Sequence, residues 1–206
     1  MATRVLVASD AKSAMWDFLD ELATDLTSDN VASALPDGAT VAVIGWPDLA
    51  LKKIDQRNDV TVRVVDAYGE GAGLARMLLG QGVNVEEVPF TGLGQACSTA
   101  DVVIVEAEAA GPSSLIAPAG SYAAAVCATH GEQETWAVVG HGRALPGQYF
   151  DIVESRLAME NPLEADDEVV PMSATTHIVG PTGVESSDVT TREDCVVAAE
   201  LLRLGI

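Results

Sequence analysis

The sequence predicts an α/β fold, with a doubly wound, mostly parallel, Rossmann-like sheet and a short N-terminal helical segment. Two observations carry this prediction. Short apolar runs bounded by turn residues recur along the chain, as they do in strands that are buried on both faces. Stretches with a helical spacing of apolar residues separate these runs. Strands that alternate with helices form parallel sheets with right-handed crossovers.

The N-terminal segment is predicted to be helical. Apolar residues recur at helical spacing over residues 9–26, which predicts an amphipathic helix; they are Met15, Phe18, Leu19, Leu22 and Leu26. The turn sequence Pro-Asp-Gly follows at residues 36–38. We therefore predict a helical segment over residues 1–35 and a Rossmann-like domain over residues 36–206.

The apolar runs and the helical patterns predict the remaining strands and helices. Strands are predicted at residues 40–44, 60–65, 83–88, 102–105, 135–139 and 177–179. Helices are predicted at residues 48–55, 71–79, 92–98, 119–129, 148–158 and 191–204. Residues 160–171 are polar and acidic, so we expect a surface loop there.

The chain is strongly acidic, with 31 Asp and Glu residues against 11 Lys and Arg residues and a net charge of −20. Nucleic acids and anionic membranes are bound through basic patches, so neither partner is expected. The acidity fits either a basic protein partner or a halophilic surface that works in concentrated salt. Because the acidic residues are dispersed and lysine is scarce throughout, the pattern favours the salt-adapted surface.

Several classes of protein are excluded by what the chain lacks. The three cysteines are scattered without zinc or redox spacing, which is typical of a protein from the reducing cytoplasm. The N-terminus has no long apolar core, so no signal peptide is predicted. No apolar run approaches the roughly 20 residues of a membrane span, so no membrane-spanning helix is predicted either. No P-loop, H-E-x-x-H or G-x-S-x-G motif is present. We expect a cytoplasmic protein without metal or cofactor.

The candidate site is predicted from four strand ends, because ligands of open α/β sheets bind beyond the carboxyl ends of the strands. The most informative stretch is residues 100–122, where an apolar run ends in Glu106 and Glu108 before a loop and an Ala-rich helix. The other strand ends are residues 45–48, 66–71 and 140–143. Together they bring acids, one histidine, one arginine and glycine-rich turns to one edge.

Three of these side chains have chemistry that a site needs. Glu108 can act as a general base or hold sugar hydroxyls, unless it is only a solvated loop carboxylate. His141 can carry a proton near neutral pH, although a histidine between two glycines is often a turn residue. Arg143 can clamp a phosphate, unless it forms a surface ion pair.

A glycine-rich turn supplies the remaining candidates from the second strand end. Asp66 is followed by Gly69, Gly71 and Gly73, and glycine permits a close approach of the backbone to a ligand. The spacing G-x-G-x-G is not the dinucleotide fingerprint. We therefore predict ligand contacts at Asp66, Gly69 and Gly71, beside those of Glu106 and Arg143.

Three segments resemble motifs of the initiation factor 2B alpha/beta/delta family, which includes ribose-1,5-bisphosphate and methylthioribose-1-phosphate isomerases. VVDAYGEG at residues 64–71 is similar to a family strand that ends in an acid, an alcohol, Arg-Pro and a glycine. VIVEAE at residues 103–108, followed by Gly120 and Ser121, resembles VIVGAD followed by N-K-x-G-T. SDVTT at residues 187–191 resembles the terminal F-D-V-T-P.

The resemblance covers residues 40–202 and implies the family's C-terminal Rossmann-like domain, a homodimer, and ligand contacts at Gly120 and Ser121. It also implies that Glu108 matches the catalytic aspartate. The catalytic cysteine has no counterpart in the matching turn, Ile-Gly-Trp-Pro at residues 44–47. The family's lysine and arginine are likewise replaced, so the isomerase chemistry is expected to be absent.

Three functions remain open from the sequence. The first is a non-catalytic, regulatory or scaffolding relative of the initiation factor 2B subunits, with a pocket for a phosphorylated sugar or nucleotide. The second is a sugar-phosphate isomerase that uses Glu108 as base, with His141 or Arg143 near the phosphate. The third is a structural, partner-binding protein whose pocket no longer binds a ligand.

Overall fold

The computed structural model describes residues 2–188 and 197–202. Its helices are α1 (Ala2–Val7), α2 (Ala11–Ala23), α3 (Thr27–Ala34), α4 (Asp48–Leu51), α5 (Gly71–Gly80), α6 (Leu93–Ser98), α7 (Ser121–His130), α8 (Gly147–Leu157) and α9 (Ala199–Leu202). Its strands are β1 (Thr40–Ile44), β2 (Thr61–Val65), β3 (Asn84–Val88), β4 (Val102–Glu106), β5 (Ala109–Ala110), β6 (Ser114–Pro118), β7 (Glu134–Val138), β8 (Asp167–Pro171), β9 (His177–Gly180) and β10 (Gly183–Ser186).

The main sheet has seven strands in the order β10-β9-β7-β4-β1-β2-β3. All neighbouring strands are parallel except β10, which runs antiparallel to β9 at one edge. The chain moves outward from β1 to β3 on one side and from β4 to β9 on the other, so the order reverses between β1 and β4. This arrangement confirms the predicted doubly wound α/β fold.

Helices cover both faces of this sheet. On one face α3, α4 and α5 pack against β1, β2 and β4 through a core that includes Val31, Leu51, Leu74 and Leu78. On the other face the small residues of α6 and α7, such as Ala96 and Ala124, pack against the same strands. Burial on both faces explains why these strands read as continuous apolar runs.

A second sheet was not predicted. Strands β5, β6 and β8 form a small antiparallel sheet in that order, with β8 alongside β6. The prediction of a loop over residues 160–171 is therefore wrong for Asp167–Pro171. This strand has an acidic start and only a short apolar part, so its strand conformation depends on pairing with β6 rather than on a local pattern.

The ends of the chain agree with the prediction in part. The N-terminal helix 9–26 corresponds to α2, which begins after Asp10 and ends at Ala23; the Asp10 carboxylate accepts hydrogen bonds from two backbone N–H groups of its first turn. The terminal helix 191–204 is seen only at Ala199–Leu202; Val197 and Ala198 are not helical, and residues 191–196, 203 and 204 lie outside the described residues. The division at residue 35 stays a prediction, and α3 contributes Val31 to the main core.

No helix within residues 2–188 and 197–202 combines the length and the apolar character that crossing a membrane requires.

Candidate functional site

The four predicted strand ends lie at one edge of the main sheet. Strands β2, β1, β4 and β7 are adjacent and parallel, so the residues that follow them all leave the sheet on the same side. Neighbouring strands are about 4.8 Å apart, so this row of four spans roughly 14 Å. The edge therefore has the width of a small-molecule site, and the order of the strands reverses at its middle.

Glu106 lies at this reversal and is almost fully buried, with 7% of its surface exposed. Its carboxylate accepts hydrogen bonds from the backbone N–H of Ala50, at 2.8 Å, and of Leu49, at 3.3 Å. Both donors belong to α4, which follows β1. The carboxylate thus caps the first helix turn of this edge, the place where a phosphate binds in many α/β proteins.

Arg143 completes the environment of Glu106. Its Nη1 atom lies 2.9 Å from Oε1 of Glu106 and also donates to the carbonyl of Ala107 at 2.6 Å. Burial raises the pKa of Glu106, against the lowering effect of the hydrogen bond from Ala50 and the charge of Arg143. Arg143 is therefore the counterion of a buried carboxylate, and this guanidinium group is already engaged.

Asp66 has a similar role at the end of β2. Its Oδ1 atom accepts a hydrogen bond from the backbone N–H of Gly71, the first residue of α5, at 2.8 Å. A side chain at Gly71 would lie 2.8 Å from the Cα of Asp66, so the turn requires glycine at this position. The turn also places Gly69 in the left-handed region, at a φ of 81°. Both glycines are therefore needed to close this turn, and their contact with a ligand stays a prediction.

The N-terminus of α7 is capped by a residue that the sequence analysis missed. Oε1 of Glu168, in β8, accepts hydrogen bonds from the backbone N–H of Gly120, at 2.7 Å, and of Tyr122, at 2.9 Å. Ser121 between them is buried. Glu168 lies in the segment predicted to be a loop, and only the pairing of β8 with β6 brings it to this helix. Its sequence neighbourhood gave no signal for this role.

Internal carboxylates therefore occupy three helix N-termini: Glu106 at α4, Asp66 at α5 and Glu168 at α7. Helix N-termini attract anions through their free N–H groups and the helix dipole. Here these donors already have a charged acceptor of the chain itself, and a phosphate brought to them would meet like charges. The structure supplies backbone donors at the predicted edge but leaves few of them for an anionic ligand.

His141 lies beneath the N-terminal helices. Its Nε2 atom is 2.9 Å from Oε2 of Glu21, and its ring is 5.6 Å from the ring of Phe18, both on α2. Its backbone N–H donates to Oδ2 of Asp25 at 2.9 Å. Burial tends to raise the pKa of Asp25, but the hydrogen bonds from Thr27 and His141 lower it overall. Through its contacts with Phe18 and Glu21, the imidazole thus links α2 to the end of β7.

Glu108 is exposed and makes different contacts from Glu106 and Arg143. Its backbone N–H donates to the carbonyl of Ile116 in β6 at 2.8 Å. The pKa of Asp167 is raised by burial and then by the charge of Glu108, so the two carboxylates lie close enough to repel each other. Glu108 therefore belongs to an acidic surface beside β8.

Two cavities within the described residues are lined by none of the predicted site residues. One, of about 580 Å³, lies between α7 and the end of β8 and is lined by Tyr122, Val126, Thr129, His130, Glu132, Pro171, Ser173 and Ala174. The other, of about 500 Å³, lies between α8 and β8. In the part of the chain that the structure describes, no group of three or more His, Cys, Asp and Glu side chains is placed to hold a metal ion.

Comparisons of the chain with known proteins give matches by structure. The translation initiation factor eIF-2B of Pyrococcus horikoshii OT3 superposes with a TM-score of 0.69 at 16% identity, over 84% of this chain and 68% of that one. The eIF2B beta subunit of Chaetomium thermophilum gives 0.69 at 18% identity, over 91% of this chain and 60% of that one.

This chain has the fold of the eIF2B subunits. A third neighbour of this fold comes from the tetrameric eIF2B-beta2-delta2 complex of C. thermophilum, with a TM-score of 0.56 at 24% identity, over 62% of this chain and 44% of that one. No protein-family profile and no curated protein sequence matches the chain. The chain thus spans less than two thirds of the length of two of these eIF2B subunits.

Glu106 differs from the residue at the same position of the motif that this strand end resembles. In the motif VIVGAD, which the segment at residues 103–108 resembles, a glycine stands where this chain has Glu106. A glycine there has no side chain to reach α4. In this chain the carboxylate extends from the end of β4 to the N–H groups of Leu49 and Ala50 and fills that place.

Proposed function

We propose that the chain is a non-catalytic, regulatory or scaffolding protein with an eIF2B-like fold, and that it acts as a homodimer. One observation carries the non-catalytic part of the proposal: the carboxylates of Glu106, Asp66 and Glu168 occupy the helix N-termini at the edge where a phosphorylated ligand would bind. A sugar phosphate needs cations and free N–H donors at that edge. Since Arg143 is held by Glu106, the edge offers mainly negative charge.

The isomerase alternative lacks support from the geometry. Acid–base catalysis requires two groups within hydrogen-bond reach of one substrate. Glu108 lies on the acidic surface beside Asp167, whereas His141 lies beneath α2, in contact with Phe18 and Glu21. Trp46 and Pro47 take up the turn that holds the catalytic cysteine in the resembled family.

The absence of phosphate binding can be tested by thermal denaturation in high salt. We expect ribose 1,5-bisphosphate and nucleoside monophosphates to leave the melting temperature unchanged. A ligand at 100 times its Kd would add about 2.7 kcal/mol to the stability of the fold, which a melting curve detects easily. Stabilisation by any of these compounds, or turnover of ribose 1,5-bisphosphate that disappears in Glu108→Gln, would contradict the proposal.

The proposed homodimer uses a face of the molecule with few charged side chains. Residues 88–100 and 109–131 contain no Asp, Glu, Lys or Arg, and they include α6 and α7, which pack against each other. Three large residues of this α6–α7 face are exposed: Phe90 at 53%, Tyr122 at 43% and Val126 at 48%. The 580 Å³ cavity beside α7 extends the face towards Pro171.

Charge supports a second copy as the occupant of the α6–α7 face. Each chain carries a net charge of −20, so most surfaces of two copies repel each other. The α6–α7 face avoids this repulsion and can pair with itself across a twofold axis. A standard interface buries roughly 800 Å² per partner, which would need both helices and the adjoining cavity. A structure of similar fold comes from a tetrameric eIF2B complex.

The dimer is tested by placing one charge on the α6–α7 face. We expect Val126→Glu to convert the protein from dimer to monomer in sedimentation equilibrium at molar potassium chloride. Leu79→Glu on α5 is the matched control, because Leu79 is also exposed, at 58%, and lies on another face. The proposal fails if the wild-type protein is a monomer, or if Val126→Glu leaves the dimer as stable as Leu79→Glu does.

A further inference from the structure

We propose that the free edge of β8 is a docking site for an extended, basic segment of a partner protein, which adds a fourth strand to the small antiparallel sheet. The site is the cavity of about 500 Å³ between α8 and β8, which we call the β8 groove. Among the described residues, none that lines the groove belongs to α6 or α7. The site is therefore separate from the two helices of the proposed dimer face.

Strand β8 (Asp167–Pro171) is the last strand of the small sheet. In residues 2–188 and 197–202 it pairs with β6 on one side and with no strand on the other. An edge strand presents a row of unpaired backbone N–H and C=O groups, which is a template for a further strand. Proline is tolerated at such an edge, and β8 ends in Pro171.

The register shows which backbone groups of β8 face outward. The carbonyl of Asp166 accepts a hydrogen bond from the N–H of Ala119 at 2.8 Å, so this position bonds towards the β6 side. Along an antiparallel strand, residues alternate between bonding one neighbour and facing the other side. Asp167 and Val169 thus direct their N–H and C=O groups away from β6, and within the described residues these groups have no hydrogen-bond partner.

The β8 groove runs along this free edge. Three consecutive residues of β8, 167–169, line it. Because successive side chains of a strand point to opposite faces, a cavity lined by three residues in a row lies beside the strand rather than over one face. The far wall includes Glu154 and Leu157 of α8 and Pro162 of the following loop. A strand added to β8 would lie about 4.8 Å from it, in this groove.

The groove is acidic, and its carboxylates lack cations. Glu154 and Asp167 both line it. Burial raises the pKa of Asp167, and the negative charges of nearby carboxylates raise it further; these are Glu108, Asp166 and Glu160. In the described part of the chain no Lys, Arg or His forms an ion pair with any of these residues. Unpaired carboxylates beside an open groove favour an occupant that carries Lys or Arg.

The same charges argue against a second copy of the chain as the occupant. Two β8 edges paired across a twofold axis would bring Asp167 and its acidic neighbours of both copies together, and each chain has a net charge of −20. Charged side chains on edge strands oppose self-pairing of this kind. An extended segment with basic side chains satisfies both the unpaired backbone groups and the unpaired carboxylates.

The proposal is tested on the full chain with a labelled peptide of about seven alternating valine and lysine residues, long enough to pass the five residues of β8. Binding is followed by fluorescence anisotropy in the lowest potassium chloride concentration that keeps the chain folded. The comparison is the same peptide methylated on every backbone nitrogen, which keeps the charge but cannot donate to a strand. We expect it to bind at least about tenfold more weakly, because it loses two hydrogen bonds.

Variants and hydrogen exchange locate the site. Asp167→Lys should weaken the binding of the lysine peptide at least about tenfold, because it brings like charges together. The matched control is Glu87→Lys, since Glu87 is also exposed, lies on the edge strand β3 of the main sheet and has no ion pair within the described residues. This control should keep the affinity within about twofold of the wild type. On binding, hydrogen exchange should slow at the N–H groups of Asp167 and Val169.

A proline at the edge tests the outward N–H group directly. Val169→Pro removes one outward donor and none of the bonds to β6, so it should weaken binding about fivefold, the loss of one hydrogen bond. A melting curve checks that this variant folds, and Asp167→Lys tests the same edge independently. Equal binding of the methylated peptide would show that only positive charge is recognised and would overturn the proposal. Unchanged binding to Asp167→Lys, or dissociation of a dimer of the chain by this variant, would overturn it equally.

Discussion

Replacing Glu106 with alanine is expected to destabilise the fold by about 3–5 kcal/mol at neutral pH, which is the usual cost of removing one partner of a buried ion pair. Three groups would lose their acceptor: the guanidinium of Arg143 and the backbone N–H groups of Leu49 and Ala50. An unpaired donor in a buried place keeps the cost of its lost hydration. The measurement is the free energy of unfolding by urea.

Two substitutions serve as controls for this result. Glu106→Gln keeps an acceptor oxygen of similar size and should cost less than Glu106→Ala. Glu108→Ala removes an exposed carboxylate two residues away, so it should change the stability by no more than about 0.5 kcal/mol. If Glu106→Ala and Glu108→Ala were equally mild, the capping of α4 by Glu106 would have no energetic importance.

The stability of the wild type relative to Glu106→Gln should depend on pH, and the pKa of Glu106 sets the sign of this dependence. Burial raises the pKa of Glu106 above its ordinary value of 4.5, so the folded state binds this proton more tightly than the unfolded state does. The stability that this carboxyl contributes is therefore fully present below pH 4.5 and declines as the pH rises through the raised pKa. The stability of the wild type relative to Glu106→Gln should fall over that interval.

The second large effect is expected from salt. Raising potassium chloride from low to molar concentration should increase the melting temperature, because 31 acidic residues face only 11 basic ones. At molar ionic strength the screening length is roughly 3 Å, which removes most of the repulsion between exposed carboxylates. At low salt this repulsion favours the expanded chain.

A variant with fewer charges separates screening from other effects of salt. Asp17→Asn together with Asp20→Asn removes two exposed carboxylates without ion pairs and should make the melting temperature less dependent on potassium chloride. Sucrose, which stabilises folds without screening charge, should act equally on both proteins. A wild-type melting temperature that does not change with potassium chloride would contradict the salt-adapted surface.

The parallel sheet could be predicted from the sequence because its strands carry their own signal. Runs such as residues 40–44 and 102–105 are apolar throughout, since both faces of β1 and β4 are covered by helices. Strand β8 has no such signal, because it gains its conformation by pairing with β6. Local patterns therefore identified the main sheet and missed the small antiparallel one.

The candidate site was predictable in its location but not in its contacts. Parallel strands must end at one edge, so Asp66, Glu106 and His141 were expected there and are found there. The partners of these residues come from distant parts of the chain: α4 for Glu106, and Glu21 and Asp25 for His141. Nothing in the sequence around Glu106 indicates that an N–H group of residue 50 will meet it. The assigned ligand contacts stay predictions.

The carboxylates at the N-termini of α4, α5 and α7 affect how this protein should be purified and crystallised. A domain whose helix ends depend on a bound metabolite folds poorly when that metabolite is missing, and additives that mimic the metabolite rescue it. This chain carries the equivalent groups covalently, in Glu106, Asp66 and Glu168. Its purification and crystallisation should depend on ionic strength and not on any small molecule added to the buffer.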